Sequence, residues 1–177
     1  MKKNLLIVAV LSLITCTGAF AEKNVTAFIS YATFNTPGKT PYVETYLSVL
    51  GSSIEYKKNP ENKWVGAIEV ALIFKQNDTI RASKKYILAS PLLDDSAKKQ
   101  NFIDQQRIPL ENGVYVLELQ ISDKNKSGKV FKSEQEVIVS FPTDRVMVSD
   151  VQALESFTKS TTQNVLTKNG YDLVPYV

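Results

Sequence analysis

Histidine is absent from the 177-residue chain, and Cys16 is its single cysteine. Without histidine, neither a Ser-His-Asp nor a Cys-His nucleophilic system can be assembled, and zinc sites of the usual Cys/His kind are excluded. Glycine is scarce as well, with seven residues, and neither G-x-G-x-x-G nor G-x-x-x-x-G-K occurs, which excludes the common phosphate loops. The sequence therefore predicts a protein that is not an enzyme, with no catalytic, cofactor-binding or metal-binding residues.

A strong charge of one sign is also lacking, because 21 basic residues face 18 acidic ones. Loss of residues 1–21 would remove Lys2 and Lys3 and lower the net charge from +3 to +1. So small an excess creates no field that attracts nucleic acid or an anionic membrane surface. Nucleic acid is therefore not an expected partner.

Residues 1–21 have the features of a secretory signal peptide. Two lysines precede an apolar run over residues 5–14, and Ala19-x-Ala21 fits the small-x-small cleavage rule. The run is shorter than the stretch of about 20 residues that spans a bilayer. We expect cleavage after Ala21 and export to the periplasm or cell surface, with no integral membrane span in the mature chain.

Two alternatives to simple cleavage stay open. One is a retained N-terminal anchor. The other is lipid attachment at Cys16, although Thr15 stands where glycine or alanine usually precedes a lipidated cysteine. A lipidated chain would be anchored to a membrane, whereas a cleaved one would be free in solution.

Apolar side chains recur at every second position over much of residues 42–141, which is the period of β-strands. Residues 64–74 are apolar on both faces, which predicts a central strand covered on both sides. The other expected strands are residues 42–50, 54–58, 79–89, 101–108, 115–121 and 129–141, with 54–58 returning beside 42–50. About seven or eight strands within residues 22–141 predict an all-β fold, an antiparallel immunoglobulin-like β-sandwich, with a closed barrel as the alternative.

One short pattern supports the sandwich. Leu110, Gly113 and Tyr115 lead into an alternating strand, as in the tyrosine corner of immunoglobulin-like domains. There the tyrosine hydroxyl ties the incoming loop to the strand. The alternative is a plain amphipathic strand with Tyr115 in the core.

Residues 142–177 are expected to form a linker and the start of an incomplete second β domain, or a tail that docks on the sandwich. Pro142 marks the boundary, and Asn169-Gly170 predicts a turn. The segment is too short to bury a core of its own. Its apolar end, Leu173 to Val177, is unusual for a solvated terminus.

One loop matches the spacing of a calcium-binding loop. The matching residues are Asp123, Asn125, Ser127, Gly128 and Glu134. Strands rather than helices flank the loop, and four lysines, Lys124, Lys126, Lys129 and Lys132, would repel a dication. We therefore interpret it as a polar hairpin turn that does not bind calcium.

Other polar and aromatic residues have ordinary interpretations. Glu44, Glu69 and Glu118 lie in strands and are expected to face solvent. Trp64, Tyr31, Tyr42, Tyr46 and Tyr56 form either a platform for sugar or peptide or, as we favour, part of the core. The lysine pairs 57–58, 84–85 and 98–99 indicate solvated edges that discourage strand aggregation.

Several stretches together resemble the N-terminal portion of exported Bacteroidota proteins that carry a C-terminal GWxTD domain. They are residues 42–53, 85–91, 110–115, 148–152 and 169–175. The GWxTD motif itself is absent, since the single tryptophan, Trp64, follows Lys63. The resemblance implies a cell-envelope location and β-rich domains, and it implies no reaction. Asp78-Thr79-Ile80 and Asp95-Ser96-Ala97 also resemble O-glycosylation sites of that phylum, although unmodified turns are the simpler interpretation.

These observations favour a non-catalytic binding or scaffolding module of the cell envelope, whose expected partner is another envelope protein. The alternative is a carbohydrate-binding or adhesive module that uses exposed aromatic residues. An enzyme built on paired carboxylates ranks last, because such pairs form only in space and the sequence cannot show them.

Overall fold

The computed structural model describes residues 24–36 and 38–176. The predicted signal peptide, with Cys16, lies outside the described residues. The elements are β1 (Ala27–Phe34), β2 (Tyr42–Val49), a 3-10 turn (Gly51–Ser53), β3 (Tyr56–Lys58), β4 (Trp64–Gln76), β5 (Thr79–Ala89), β6 (Phe102–Pro109), β7 (Gly113–Asp123), β8 (Phe131–Val139), β9 (Leu154–Lys159), β10 (Thr167–Lys168) and β11 (Tyr171–Pro175). No helix within this described part is long and apolar enough to cross a membrane. The fold is all-β, as predicted.

Eight strands form two antiparallel sheets. The smaller sheet has the order β1-β2-β6. In the larger sheet β4 is central, because β5 pairs with residues 67–76 on one edge and β7 pairs with residues 68–75 on the other. β8 lies beyond β7. β3 pairs with the first residues of β4, on the same side of β4 as β7. The opposite side of Trp64 is taken by Leu93, which follows β5 in the chain.

The core lies between these two sheets. The inward residues of β4 are fully buried and alternate with partly exposed ones, as the period of two requires. They share one cluster with side chains from β2, β7 and β8; its members include Val43, Leu47, Val49, Ile68, Val70, Leu72, Phe74, Leu117, Leu119, Ile121, Val137 and Val139. The expectation that β4 is covered on both faces is wrong, because its outward residues stay partly exposed. The predicted sandwich is confirmed.

The strand order is that of an immunoglobulin-like sandwich. β1, β2 and β6 stand where strands A, B and E stand, and β4, β7 and β8 where C, F and G stand. The tyrosine corner is confirmed at the start of β7, where the Tyr115 hydroxyl donates a 2.9 Å hydrogen bond to the Glu111 carbonyl. A Cβ at Gly113 would lie 2.6 Å from Gln76 Nε2 and 3.2 Å from the Tyr115 hydroxyl oxygen, so a larger residue there would crowd the corner.

The β1 strand and the pairing of β3 differ from the sequence-based expectation. Residues 27–34 were not predicted as a strand, yet they form β1 at the edge of the smaller sheet. β3 pairs with β4 and not with β2, because the 3-10 turn carries the chain across to the larger sheet. Gly51 permits this crossing, since a Cβ there would lie 1.9 Å from the Gln100 carbonyl oxygen.

Two hairpins have the two-residue turns that the sequence predicts. Asn77 and Asp78 join β4 to β5 with φ angles of 49° and 60°. Asn169 and Gly170 join β10 to β11 with φ angles of 53° and 82°. Positive φ at both turn residues matches the right-handed twist of the flanking strands. The second hairpin belongs to a separate three-stranded sheet of order β10-β11-β9, which we call the C-terminal sheet.

Candidate functional site

The outer face of the smaller sheet contains a buried carboxylate. Glu44 is 0% exposed, and its Oε2 accepts a 2.7 Å hydrogen bond from Arg107 Nε on the neighbouring strand. The Tyr46 hydroxyl donates to Glu44 Oε1 at 2.9 Å. Lys168 of the C-terminal sheet places its Nζ 3.8 Å from Glu44 Oε2. A buried charge is tolerated because these groups pair with it.

The same contacts fix the protonation of the neighbouring groups. Burial raises the pKa of the Tyr46 phenol, and the Glu44 carboxylate raises it further. Tyr46 is therefore a hydrogen-bond donor at neutral pH. Burial lowers the pKa of the Lys168 ammonium, and Glu44 opposes that effect.

Lys168 also rests on aromatic rings of the smaller sheet. Its Nζ lies 3.6 Å from the centroid of Phe34 and 6.0 Å from that of Tyr42. The two rings stack with their centroids 5.5 Å apart. Cation–π attraction therefore adds to the ion pair and holds the C-terminal sheet against the sandwich.

A second anchor holds the segment that precedes β9. Asp150 Oδ2 accepts hydrogen bonds from both the backbone N–H and the hydroxyl of Thr33, each at 2.7 Å. The Asp150 N–H donates to the Thr33 carbonyl at 3.0 Å, and Ser149 Oγ accepts from the Asn35 N–H at 3.0 Å. The segment thus occupies one end of the open edge of β1. The assignment of residues 142–177 to the start of a second domain stays a prediction.

The other end of this β1 edge is open. Thr33 directs its N–H and carbonyl away from β2, and Thr26 directs its carbonyl toward β2, where it accepts from the Leu50 N–H. Because ladder hydrogen bonds alternate along an antiparallel strand, Ile29 and Tyr31 also direct their backbone groups outward. No strand of the described chain pairs with them there. Phe28, beside them, is 67% exposed.

A polar cluster joins the two sheets on their β5–β6 side. The Tyr86 hydroxyl donates to Asp104 Oδ2 at 2.5 Å, and Gln106 Nε2 lies 2.9 and 3.0 Å from the two Asp104 oxygens. Lys84 Nζ donates to Gln106 Oε1 at 2.5 Å. Burial raises the pKa of the Tyr86 phenol, and its bond to Asp104 raises it further. Hydrogen bonds thus join Lys84 and Tyr86 of β5 to Asp104 and Gln106 of β6, and the cluster bridges the two sheets.

A polar pocket of about 470 Å³ lies beside the tyrosine corner. Its lining includes Arg81, Glu111 and Tyr115. Asn112, also in the lining, exchanges two hydrogen bonds with the backbone of Phe141. The Tyr115 hydroxyl donates to the Glu111 carbonyl. The polar groups of Asn112 and Tyr115 are therefore already engaged in hydrogen bonds at the tyrosine corner.

The five aromatic residues proposed as a platform do not share one exposed face. Tyr46 and Tyr56 are buried in different sheets, and Tyr31 packs against the core. Trp64 is half-buried under Lys58, whose Nζ lies 5.5 Å from the ring centroid. The exposed aromatic pair is instead Phe157 with Tyr171, at a centroid distance of 6.2 Å, which the sequence analysis did not single out.

The residues of the calcium-loop pattern are not brought together. Asp123 accepts from the backbone N–H groups of Asn125 and Glu55, and Asn125 Nδ2 donates to the Glu55 carbonyl. Glu134 pairs with Glu118 in the ladder. Glu118 precedes Asp123 by five residues along β7, a separation of about 16 Å at strand rise. The loop residues Asp123 and Asn125 thus join β7 to the start of β3.

The predicted exposure of the three strand carboxylates is wrong for two of them. Glu44 is completely buried, and Glu118 is buried beside Lys75, whose Nζ lies 2.5 Å from its Oε2. Glu69 is partly exposed and pairs with Lys85 at 2.9 Å. A signal for Glu44 was present, because Tyr42 and Tyr46 share its strand face and aromatic neighbours indicate a covered surface.

The three lysine pairs are all exposed. Lys57 and Lys58 lie in β3, and Lys84 and Lys85 lie in the edge strand β5. This placement agrees with solvated strand edges.

Scans with protein-family models and searches of curated proteins and solved structures returned no match to this chain.

Proposed function

We propose that the protein is an exported, non-catalytic binding module of the cell envelope that pairs with an extended segment of another envelope protein. The proposed binding site is the open part of the β1 edge, at Ile29 and Tyr31. The observation that carries the proposal is the occupied end of the same edge, where Asp150 already exchanges hydrogen bonds with Thr33. A partner strand would continue that pairing along β1.

The chemistry of the edge suits strand addition. In strand addition, outward N–H and carbonyl groups of the edge supply main-chain affinity. Phe28 lies exposed next to the edge and offers apolar contact to a partner side chain. β5 is a less suitable edge, because Lys84 and Lys85 surround it with positive charge.

Location in the envelope is supported by the leader-like residues 1–21 and by the resemblance to the N-terminal portion of GWxTD-domain proteins. Both supports come from the sequence. Together with the absence of histidine, they favour binding over chemistry.

Capture from envelope extracts with Ile29→Pro and Lys85→Pro variants tests the proposal. Proline at position 29 removes an outward N–H and leaves the bonds to β2 intact. Lys85→Pro is the matched control, because residue 85 directs its N–H to the open side of β5. This orientation follows from the Ser90 N–H, which donates to the Gly66 carbonyl on the β4 side, and from the alternation of ladder bonds along β5. Thermal melting of both variants verifies that the sandwich stays folded.

We expect a partner that the unaltered protein and Lys85→Pro both capture and that Ile29→Pro loses. A second variant, Phe28→Lys, is expected to weaken capture without touching the backbone ladder. Equal capture by all forms, or no partner above background, would reject the β1 edge as the binding site.

A further inference from the structure

The β9 strand is an edge strand with unusual exposure. Every residue from Leu154 to Lys159 is exposed. β9 pairs with β11, and within residues 24–36 and 38–176 no strand pairs with its other edge. An exposed strand of this kind is a template for pairing with another chain.

The orientation of the β9 backbone follows from its pairing. The Ser160 N–H donates to the Gly170 carbonyl on the β11 side, at 2.9 Å. Because ladder bonds alternate, Lys159 and Phe157 direct their N–H and carbonyl groups to the open edge. A bulge places Val174 opposite Ser156 and Pro175 opposite Leu154, so Glu155 is the extra residue in β9.

We propose that this edge pairs with the β9 edge of a second copy of the chain, in an antiparallel register centred on Phe157. In that register Glu155 of each copy lies opposite Lys159 of the other. The two Phe157 residues lie opposite each other and exchange their outward backbone hydrogen bonds. The contact is therefore complementary to itself in charge, in backbone groups and in apolar side chains.

Other registers lack this complementarity. Centring the pair on Glu155 or on Lys159 places like charges directly opposite each other, which is unfavourable. Centring it on Ser156 or Thr158 places a charged residue opposite Phe157. The charges thus select one register, which also brings the exposed Phe157–Tyr171 pairs of the two copies together at the centre.

The geometry limits the assembly to a dimer. A two-fold contact uses the same edge of both copies and is closed, so it leaves no open β9 edge for further growth. The bulge at Glu155 confines regular ladder pairing to residues 156–158, so Glu155 and Lys159 meet through their side chains at the two ends of the contact. A contact of one short strand buries little surface, and we expect a weak dimer.

Sedimentation equilibrium of the purified protein with charge reversals tests the register. Glu155→Lys and Lys159→Glu each turn two attractive contacts into repulsive ones, and we expect each to weaken dimerisation roughly 10- to 30-fold. The double variant Glu155→Lys with Lys159→Glu restores opposite charges and is expected to return to within about threefold of the original affinity. Both substituted positions are exposed, so folding is not at risk.

Lys57→Glu is the control, because it changes the net charge by the same amount as Lys159→Glu and lies in β3 of the larger sheet. It is expected to leave the dimer unchanged. A protein that stays monomeric up to about 1 mM, well above the micromolar range of specific contacts, would overturn the proposal. So would a double variant no tighter than the single ones, or a control that weakens the dimer as much as they do.

Dimerisation through β9 does not depend on the partner proposed for β1. Capture of an envelope protein at Ile29 and dimerisation through Phe157 use different strands. Loss of one in a variant that retains the other separates the two outcomes.

Discussion

The sandwich and the C-terminal sheet use the same kind of strand, yet they are stabilised differently. In the sandwich a second sheet covers each inner face, so Phe74 is 0% exposed. In the C-terminal sheet no residue of β9 is buried, and Phe157 is 65% exposed. The comparison teaches that a strand contributes to a buried core only where another layer covers its apolar side.

The C-terminal sheet is held by polar contacts instead. Lys168 reaches Glu44 and two aromatic rings, and Asp150 binds Thr33. The Arg107 Nη1 also donates to the Thr167 carbonyl at 3.4 Å. Such polar contacts fix the position of the C-terminal sheet on the sandwich. Burial of apolar area, in contrast, supplies most of the free energy of folding.

The largest effect is expected from truncating a phenylalanine in each region. Phe74→Ala removes a fully buried ring and should lower the free energy of unfolding by about 3–5 kcal/mol. Phe157→Ala removes an exposed ring and should change it by less than about 0.5 kcal/mol. Urea unfolding followed by circular dichroism measures both, and similar losses would break the comparison.

The next effect comes from the two cations that meet at Glu44. Arg107→Met removes the closest partner of a buried carboxylate, and since Arg107 is partly exposed we expect a loss of about 2–3 kcal/mol. Lys168→Met leaves Arg107 and Tyr46 in place, so global stability should change by less than about 1 kcal/mol. The Lys168→Met substitution is expected to loosen only the C-terminal sheet.

Hydrogen exchange separates the two outcomes. In Lys168→Met, amides of residues 154–175 should exchange faster while those of β4 and β7 keep their protection. Faster exchange throughout the sandwich would mean that the sandwich and the C-terminal sheet unfold together and are not separate in stability.

A smaller effect is expected from removing a tyrosine hydroxyl in each region. Tyr115→Phe deletes the bond to the Glu111 carbonyl and leaves that acceptor without this donor, at a cost of about 1 kcal/mol. Tyr171→Phe alters an exposed residue of β11 and should cost close to nothing. Thermal unfolding of both variants provides the measurement, and equal shifts in the melting temperature would deny the corner a stabilising role.

The smallest effect concerns pH and salt. The Lys75 ammonium, followed by a hydrogen bond from Gln120, holds the pKa of Glu118 below its usual value. The Thr167 hydroxyl, followed by Ser160, does the same for the pKa of Asp172 in the C-terminal sheet. Each depressed pKa contributes stability above the ordinary pKa of the carboxyl, and this stability is lost as the pH falls through the folded-state value.

Salt distinguishes the two carboxyls. Because an ion pair is screened and a hydroxyl hydrogen bond is not, about 0.5 M salt should raise the pKa of Glu118 toward its usual value and leave that of Asp172 in place. Carboxyl titration by NMR at low and high salt measures both. Equal salt dependence would show that the same kind of contact governs the two regions.

Local patterns predicted much of the fold. The period of two located most strands of the sandwich, and Gly113 with Tyr115 predicted the corner. β1 was missed because its large apolar residues, Phe28, Ile29, Tyr31 and Phe34, do not alternate strictly along residues 27–34. The partner of β3 was wrong because the turn at Gly51 is shaped by the carbonyl of Gln100, a contact that the local sequence does not contain.

The candidate sites were predicted less well. The aromatic platform, the less favoured of the two interpretations, is divided between two sheets, and the Phe157–Tyr171 pair was not identified. The open edges of β1 and β9 could not be inferred, since an edge is defined by which strands fail to pair with it.

The sequence by itself determined the all-β class, the turns at Asn77 and Asn169, the tyrosine corner and the exclusion of histidine-dependent chemistry. Each of these depends on residue types or on spacings of a few residues. Only the tertiary structure decided that Glu44 is buried and that β9 is open. Burial of Glu44 needs Arg107 and Lys168, which are distant in the chain, and the contacts that distant residues make are fixed only when the sheets assemble.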